Sequence, residues 1–292
     1  MAELKESSGR KKKKSIGNDV ISIILFIYLL LIIVPYIYSV FASLSTYKEY
    51  YFNLFPIPKT GLRWENYADA WNNLKHDGTG IPQMIINSLL FSGGSAFLGV
   101  FFGACSAYIC AKYKFFGRGF IYMFALISMM VPIVGSMPSQ LKYVSMLGGY
   151  NSYLFVLIMS TGIGGGFIIL YSCFKNVDWG YAEAAFIDGA GHFRVFFEVM
   201  LPQVVSPMIA LFLSDFIIAW ANAENSLVFY PELPTLTTGL YYFRTYVVTA
   251  VGMQRYPAYF AALLLCMIPT VVVFAVFQEK LMDIQIEGGL KG

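Results

Sequence analysis

Charge is what this sequence has least of. Only 13% of its 292 residues are Asp, Glu, Lys or Arg, against about 25% in soluble domains, which excludes an ordinary soluble globular protein. Histidine is nearly missing. His76 and His192 stand far apart and fall on opposite sides of the membrane in the topology read below, so a shared metal site is not expected. The four cysteines, Cys105, Cys110, Cys173 and Cys266, lie in apolar runs without disulfide-framework or metal-ligand spacing and read as small apolar core residues. Absent too are a Walker-type glycine loop, a Gly-x-Ser-x-Gly turn, a metal-ligand pair and a credible nucleophile–base pair. The chain is therefore expected to hold no catalytic residue, no metal and no cofactor. The net charge of +3 sits in Arg10 and Lys11 to Lys14, which gives no footprint for nucleic acid.

What is abundant is apolar sequence, 58% of the chain. Uncharged or nearly uncharged runs at about 20–44, 82–111, 119–138, 151–174, 204–225 and 257–279 are each long enough for a bilayer core, which takes roughly 20 helical residues. The fold class that follows is an all-α polytopic membrane protein with six transmembrane helices. A basic tail (1–18) precedes the membrane domain (19–282), and a short tail (283–292) follows it. The first apolar run is too long for a signal-peptide core, so it reads as a retained span. Six spans put both termini on one side, and the bias of Lys and Arg puts that side in the cytoplasm.

The longest polar interruption of the second half runs from 175 to 203, KNVDWGYAEAAFIDGAGHFRVFFEVMLPQ. Ala182 to Asp188 are good helix formers, Gly189 and Gly191 supply a turn, and Phe193 to Met200 resume a helix. Pro202 marks the start of a further segment at a new angle. A helix–turn–helix between two spans needs a protein partner. Ala184 and Ala185 allow close approach, Glu183 can pair with a partner's basic residue, and Phe186, Phe193, Phe196 and Phe197 can fill a cleft. The plainer reading is an amphipathic helix in the headgroup layer.

Glu183-Ala184-Ala185, Asp188-Gly189 and Leu201-Pro202, at their spacing over twenty residues, resemble the EAA loop of ABC importer permeases, most closely the maltose-type carbohydrate branch. Weaker matches extend the resemblance over nearly the whole chain: Glu65-Asn66-Tyr67, Asn87-Ser88, Ala107-Tyr108, Met130-Val131-Pro132 and the C-terminal Gly288-Gly289-Leu290-Lys291-Gly292. Asp178-Trp179-Gly180 stands where the family usually has a proline, Trp220-Ala221-Asn222 where it tends to have adjacent Trp-Asn, Thr237 where it has proline and Ile284 where it often has glycine. The resemblance implies a permease subunit whose loop residues Glu183, Ala184, Ala185, Phe186, Asp188, Gly189, Leu201 and Pro202 dock on ABC ATPase subunits, with Gly289 and Lys291 as a C-terminal contact. ATP and Mg would be bound by the ATPase. A second homologous permease and an extracellular solute-binding protein complete the implied partners, and oligosaccharides or related sugars the implied cargo. Peptides, amino acids or another small solute remain the alternative cargo. A secondary transporter would call for inverted repeats, and none is visible.

Two features inside the spans stay open between packing and transport. Gly162, Gly164, Gly165 and Gly166 suit either close helix packing or a flexible point on a path. Asp215, a carboxylate within a span, either lines a path or bonds a neighbouring helix. Trp220, Asn222 and Glu224 follow it toward the outer end as further tentative path residues, and Trp220 and Tyr230 also suit an interface belt.

Overall fold

The computed structural model describes residues 16–131, 135–160, 162–249 and 255–289. The basic cluster at 10–14, Pro132, Thr161 and Lys291 lie outside them. Every named element among the described residues is helical.

Among the described residues, four helices are long and apolar enough to cross a membrane: Val20–Leu44, Ile81–Lys112, His192–Ala221 and Tyr256–Gln278. They fall on the first, second, fifth and sixth expected runs. The first lies within α1 (Ile16–Leu44). The second joins α4 (Ile81–Ser88), a π-helical stretch Leu89–Gly93 and α5 (Gly94–Lys112). The last opens α15 (Tyr256–Gly289), which runs on through most of the expected C-terminal tail.

The other two expected runs are interrupted. Over 119–138 the structure has α6 (Arg118–Met130) and then α7 (Met137–Met146), with Gly135 at φ 73° before the new start and Pro138 in its first turn. Thirteen residues reach only about 20 Å, short of a bilayer core of about 30 Å. Over 151–174 there are α8 (Leu154–Met159) and α9 (Gly165–Asn176), separated by extended backbone at Ser160 and Gly164. Glycine's low helix propensity gives that break its local cause. The fifth helical run also stops earlier than 225. Its last piece, α12 (Val205–Ala221), ends where Asn222 Oδ1 accepts the Asn225 N–H, and α13 (Glu224–Phe229) begins anew.

Burial is arranged for a hydrocarbon solvent. Along α1, Phe26, Tyr28 and Leu31 are more than 60% exposed, while the residues in helix contacts are small. Gly103, Ala104 and Ala107 of α5 are buried in the same core as Phe167 and Leu170 of α9. Such pairs hold helices together through close van der Waals contact, because lipid tails are as apolar as leucine. Two further cores gather the remaining elements: one combines α3 (Glu65–Asn73), α4, α12, α14 (Leu236–Thr249) and α15, and the other contains Phe91, Val144, Phe155 and Phe229.

Polar side chains close the backbone gaps. Asn87, 1% exposed, donates through Nδ2 to the Pro234 carbonyl at 3.0 Å and accepts from Tyr153 Oη at 2.9 Å. Ser88 Oγ accepts the Leu236 N–H at 2.8 Å, and Thr237 Oγ1 donates to the Trp220 carbonyl at 2.6 Å. The Pro234-Thr235-Leu236-Thr237-Thr238-Gly239 stretch is locked inward: Thr235, Leu236 and Thr238 are buried.

Glu49, on α2 (Tyr47–Phe52), performs the same service for the loop that follows. Its carboxylate accepts from the Thr46, Lys59 and Thr60 N–H groups and from both threonine hydroxyls. Burial pushes this carboxyl up, but the hydrogen bonds from Thr46 and Thr60 outweigh it and hold the pKa at about 2. A folded-state value below the unfolded one of about 4.3 gives stability that is complete above that value and is lost as pH falls through 2. Glu49→Gln sets an amide N–H against the Thr46 donor. Thermal unfolding in detergent should show a loss of about 1–3 kcal/mol at pH 7, and the gap between the two proteins should narrow steadily as pH is lowered from 5 toward 2.

Candidate functional site

The polar loop folds into a helix with a specified end. Residues Gly180–Ile187 form α10, opened by Asp178 Oδ1, which accepts the Gly180 N–H at 2.9 Å. Its end is a Schellman turn: the Ala190 N–H reaches the Ala185 carbonyl at 2.9 Å and the Gly189 N–H reaches Phe186 at 3.0 Å, with Gly189 at φ +83°. A side chain at Gly189 would meet open space but not that dihedral.

α11 (His192–Arg194) then continues through a π stretch Val195–Met200 and a 3-10 turn Pro202–Val204 into α12. Pro202 opens the 3-10 turn, a short segment within the longer helical run. Lacking an N–H, it shifts the ladder rather than ending it: the Leu201 N–H bonds the Phe196 carbonyl at 2.8 Å, and Val204 bonds Leu201 at 3.1 Å. Leu201 keeps helical angles, φ −63° and ψ −43°. His192–Ala221 is thus one helical run of 30 residues.

Several contacts mount this loop on α5 and α9. Lys112 Nζ donates to the Val177 carbonyl at 2.5 Å, and Tyr113 Oη lies 2.9 Å from His192 Nδ1. Trp179 packs its ring against Tyr113 and Phe186, and Phe186 packs against His192. Ala182, Val195 and Phe196 are fully or nearly buried in the core shared with α5 and α9. This divides the predicted docking residues. Phe196 faces inward and is no knob, and Ala185 and Phe186 pack partly on the same core. Glu183, Ala184, Asp188 and Gly189 are exposed. Ile187 and Phe193, at 85% and 83% exposure, flank the turn. Sequence reasoning passed over Ile187, although its place one turn after Glu183 and Ala184 on a short helix puts it on their face.

The intramembrane candidates also divide. Asp215 and the glycines near 164, some fifty positions apart in sequence, line one cavity of about 340 Å³ together with Ser95, Ser160 and Gly99. Asp215 is exposed and has no hydrogen bond among the described residues. Gly162 packs against α5: a Cβ there would stand 2.9 Å from the Phe102 carbonyl oxygen and 3.0 Å from Ser106 Oγ. Gly164 has open space around it, and no side chain caps the start of α9. Trp220 is elsewhere, buried in the core with Phe216, while Asn222 caps α13 and Glu224 is exposed on its first turn. None of the three lines this cavity. Gly289 ends α15.

A helical, multi-pass membrane protein with an interrupted helix beside a polar cavity, and with a capped loop mounted on a long rigid helix, is the class that fold and site define. Residues 95–282 match the family described as "Binding-protein-dependent transport system inner membrane component", and the chain belongs to it. Among curated proteins it is similar to the diacetylchitobiose uptake system permease protein NgcG of Streptomyces coelicolor, 28% identical over 88% of this chain and 84% of that one. It is also similar to the probable ABC transporter permease protein YurM of Bacillus subtilis, 25% identical over 97% and 91%. Among solved structures, a chain of a bacterial ABC transporter involved in the import of the acidic polysaccharide alginate superposes with a TM-score of 0.74 at 18% identity, covering 94% of this chain and 99% of that one, and so shares the fold.

The two glycines give a matched pair of substitutions. Gly162→Ala forces a methyl against backbone that cannot rotate away and should lower stability by about 1–3 kcal/mol. Gly164→Ala should leave the unfolding temperature in detergent unchanged.

Proposed function

We propose that this chain is the membrane-spanning permease subunit of an ATP-driven importer for oligosaccharides or related sugars, coupled to its ATPase through α10 and the turn that follows. The observation that carries the coupling is the pair Ile187 and Phe193, apolar and almost fully exposed, beside Glu183 on a loop otherwise anchored by its buried side. Exposed aromatic and aliphatic anchors on a rigid mount suit a partner's cleft. A lever needs a connection to the span, and the mount runs on through the π stretch and the 3-10 turn into α12. Closure of two partner ATPase subunits on ATP would push α10, and the resulting rigid-body rotation would turn a path between this chain and a second permease from inward- to outward-facing.

The rest of the assembly follows from this reading. Both termini, the 112–118 turn and the α10 loop face the cytoplasm, and an extracellular binding protein delivers cargo to the other side. Leu201 and Pro202 serve as the shifted register that joins loop to span. Gly289, at the end of α15, and Lys291, outside the described residues, contact the ATPase pair. ATP and Mg belong to the ATPase, so this chain is a transport subunit and carries no chemistry of its own. The sugar assignment draws on the relatives' cargo, diacetylchitobiose in the case of NgcG.

Co-purification tests the coupling. Glu183→Lys and Ile187→Glu should leave the permease folded and inserted, with an unchanged unfolding temperature. Both should lose the ATPase subunits from the detergent-extracted complex, or lower hydrolysis stimulated by the loaded binding protein by tenfold or more. An ATPase that stays bound and works normally with both variants would send the α10 loop back to the headgroup layer.

A further inference from the structure

A carboxylate inside a membrane span is costly where it meets lipid, about 2.5–3.5 kcal/mol at a helix centre on insertion scales, and Asp215 makes no hydrogen bond to a neighbour among the described residues. It opens instead onto the cavity beside the α8–α9 break, where Ser160 and Gly164 leave the helical ladder. Irregular backbone at membrane depth persists only where protein buries it or water reaches it. Carboxylate and broken backbone thus meet at a hollow in which both can be hydrated.

We infer that Asp215 sets the charge selectivity of the translocation path, admitting neutral or cationic solutes and disfavouring anionic ones. This rests on the permease reading above. Among the described residues no Lys, Arg or His lines the cavity, and Asp215 is the charged residue of its lining. The opposing field comes from the start of α9, equivalent to about half a positive charge, which does not offset a full carboxylate. The remaining lining offers hydroxyls at Ser95 and Ser160, bare backbone at the glycines and an apolar wall from Ala96, Val100, Met159 and Phe167. A neutral polyhydroxylated solute can donate to Asp215 and accept from the hydroxyls, whereas a solute carrying carboxylates, sulfates or phosphates meets a like charge with no cation of this chain's described lining to relieve it. The chemistry therefore assigns the path to uncharged sugars or amino sugars.

Charged thiol reagents measure this without a known cargo. In the nucleotide-free complex with its ATPase, Cys105, Cys110, Cys173 and Cys266 are replaced by alanine and a single reporter is introduced as Ser160→Cys or, independently, Ser95→Cys. Retained ATP hydrolysis confirms that each complex is assembled. Reaction rates with a cationic and an anionic methanethiosulfonate are each divided by the rate with free 2-mercaptoethanol. The cationic reagent should lead by about tenfold, the effect of one charge several ångströms away at intermediate dielectric. Adding Asp215→Asn should bring the ratio to one or below, since only the positive end of α9 then remains. Equal ratios with and without Asp215→Asn, a ratio of one in the native background, or reporters unreactive toward both reagents would each overturn the inference. Loss of ATPase coupling with the ratios intact would instead count against the permease assignment and leave the charged cavity standing.

Discussion

Within a bilayer core the backbone has no water to fall back on, and that constraint orders this structure. Each N–H and C=O freed by an interrupted helix has to meet a side chain, another backbone or a wetted cavity. The chain interrupts its helices repeatedly, at Val131 and Gly135, at Ser160 and Gly164, and at Asn222. On the α13–α14 side it answers with buried polar residues: Asn87 on the Pro234 carbonyl, Ser88 on the Leu236 N–H, Thr237 on the Trp220 carbonyl. At the α8–α9 break no side chain caps α9. That break opens on a cavity, and there Asp215 stands.

Hydropathy located the long helices because length and apolarity are what a lipid core selects. It could not see where two of the six runs break, since glycine, serine and proline are apolar enough to pass in a running average. The loop was more legible. A short helix of good formers followed by Gly189 predicts the turn that the structure closes with a Schellman motif, because no other residue type takes φ +83° without strain. Which face of that loop turns inward was not legible. Phe196 and Phe193 have the same chemistry, and only the packing of α5 and α9 decides that the first is buried and the second exposed.

Pairings over long separations were the least readable. Asp215 and the glycines each drew attention as oddities within a span, yet nothing local says that one lines the same hollow as the others. Trp220, Asn222 and Glu224 drew attention for the same reason, and α12 ends among them in a way that turns them from the cavity. Glu49 gave only a local signal, its capping-box spacing from Thr46; nothing in the sequence shows that Lys59 and Thr60 fold back onto it.

The arrangement of cores indicates where a push on α10 would be felt. One core binds α5, α6, α9, α10 and the start of the long helix into a single body, with Lys112 and Tyr113 fastening the loop to it. A second core holds α3, α4, α14 and α15 with the far end of α12 and Ala96 at the start of α5. Phe212 of α12 packs against both. Close packing makes each body stiff, so relative movement concentrates at the boundary. That boundary crosses α12 at Phe212, less than one turn from Asp215. On the proposed coupling, the load gathered at the loop is therefore delivered beside the charged cavity, and the residue that would discriminate among solutes sits where the path would open and close.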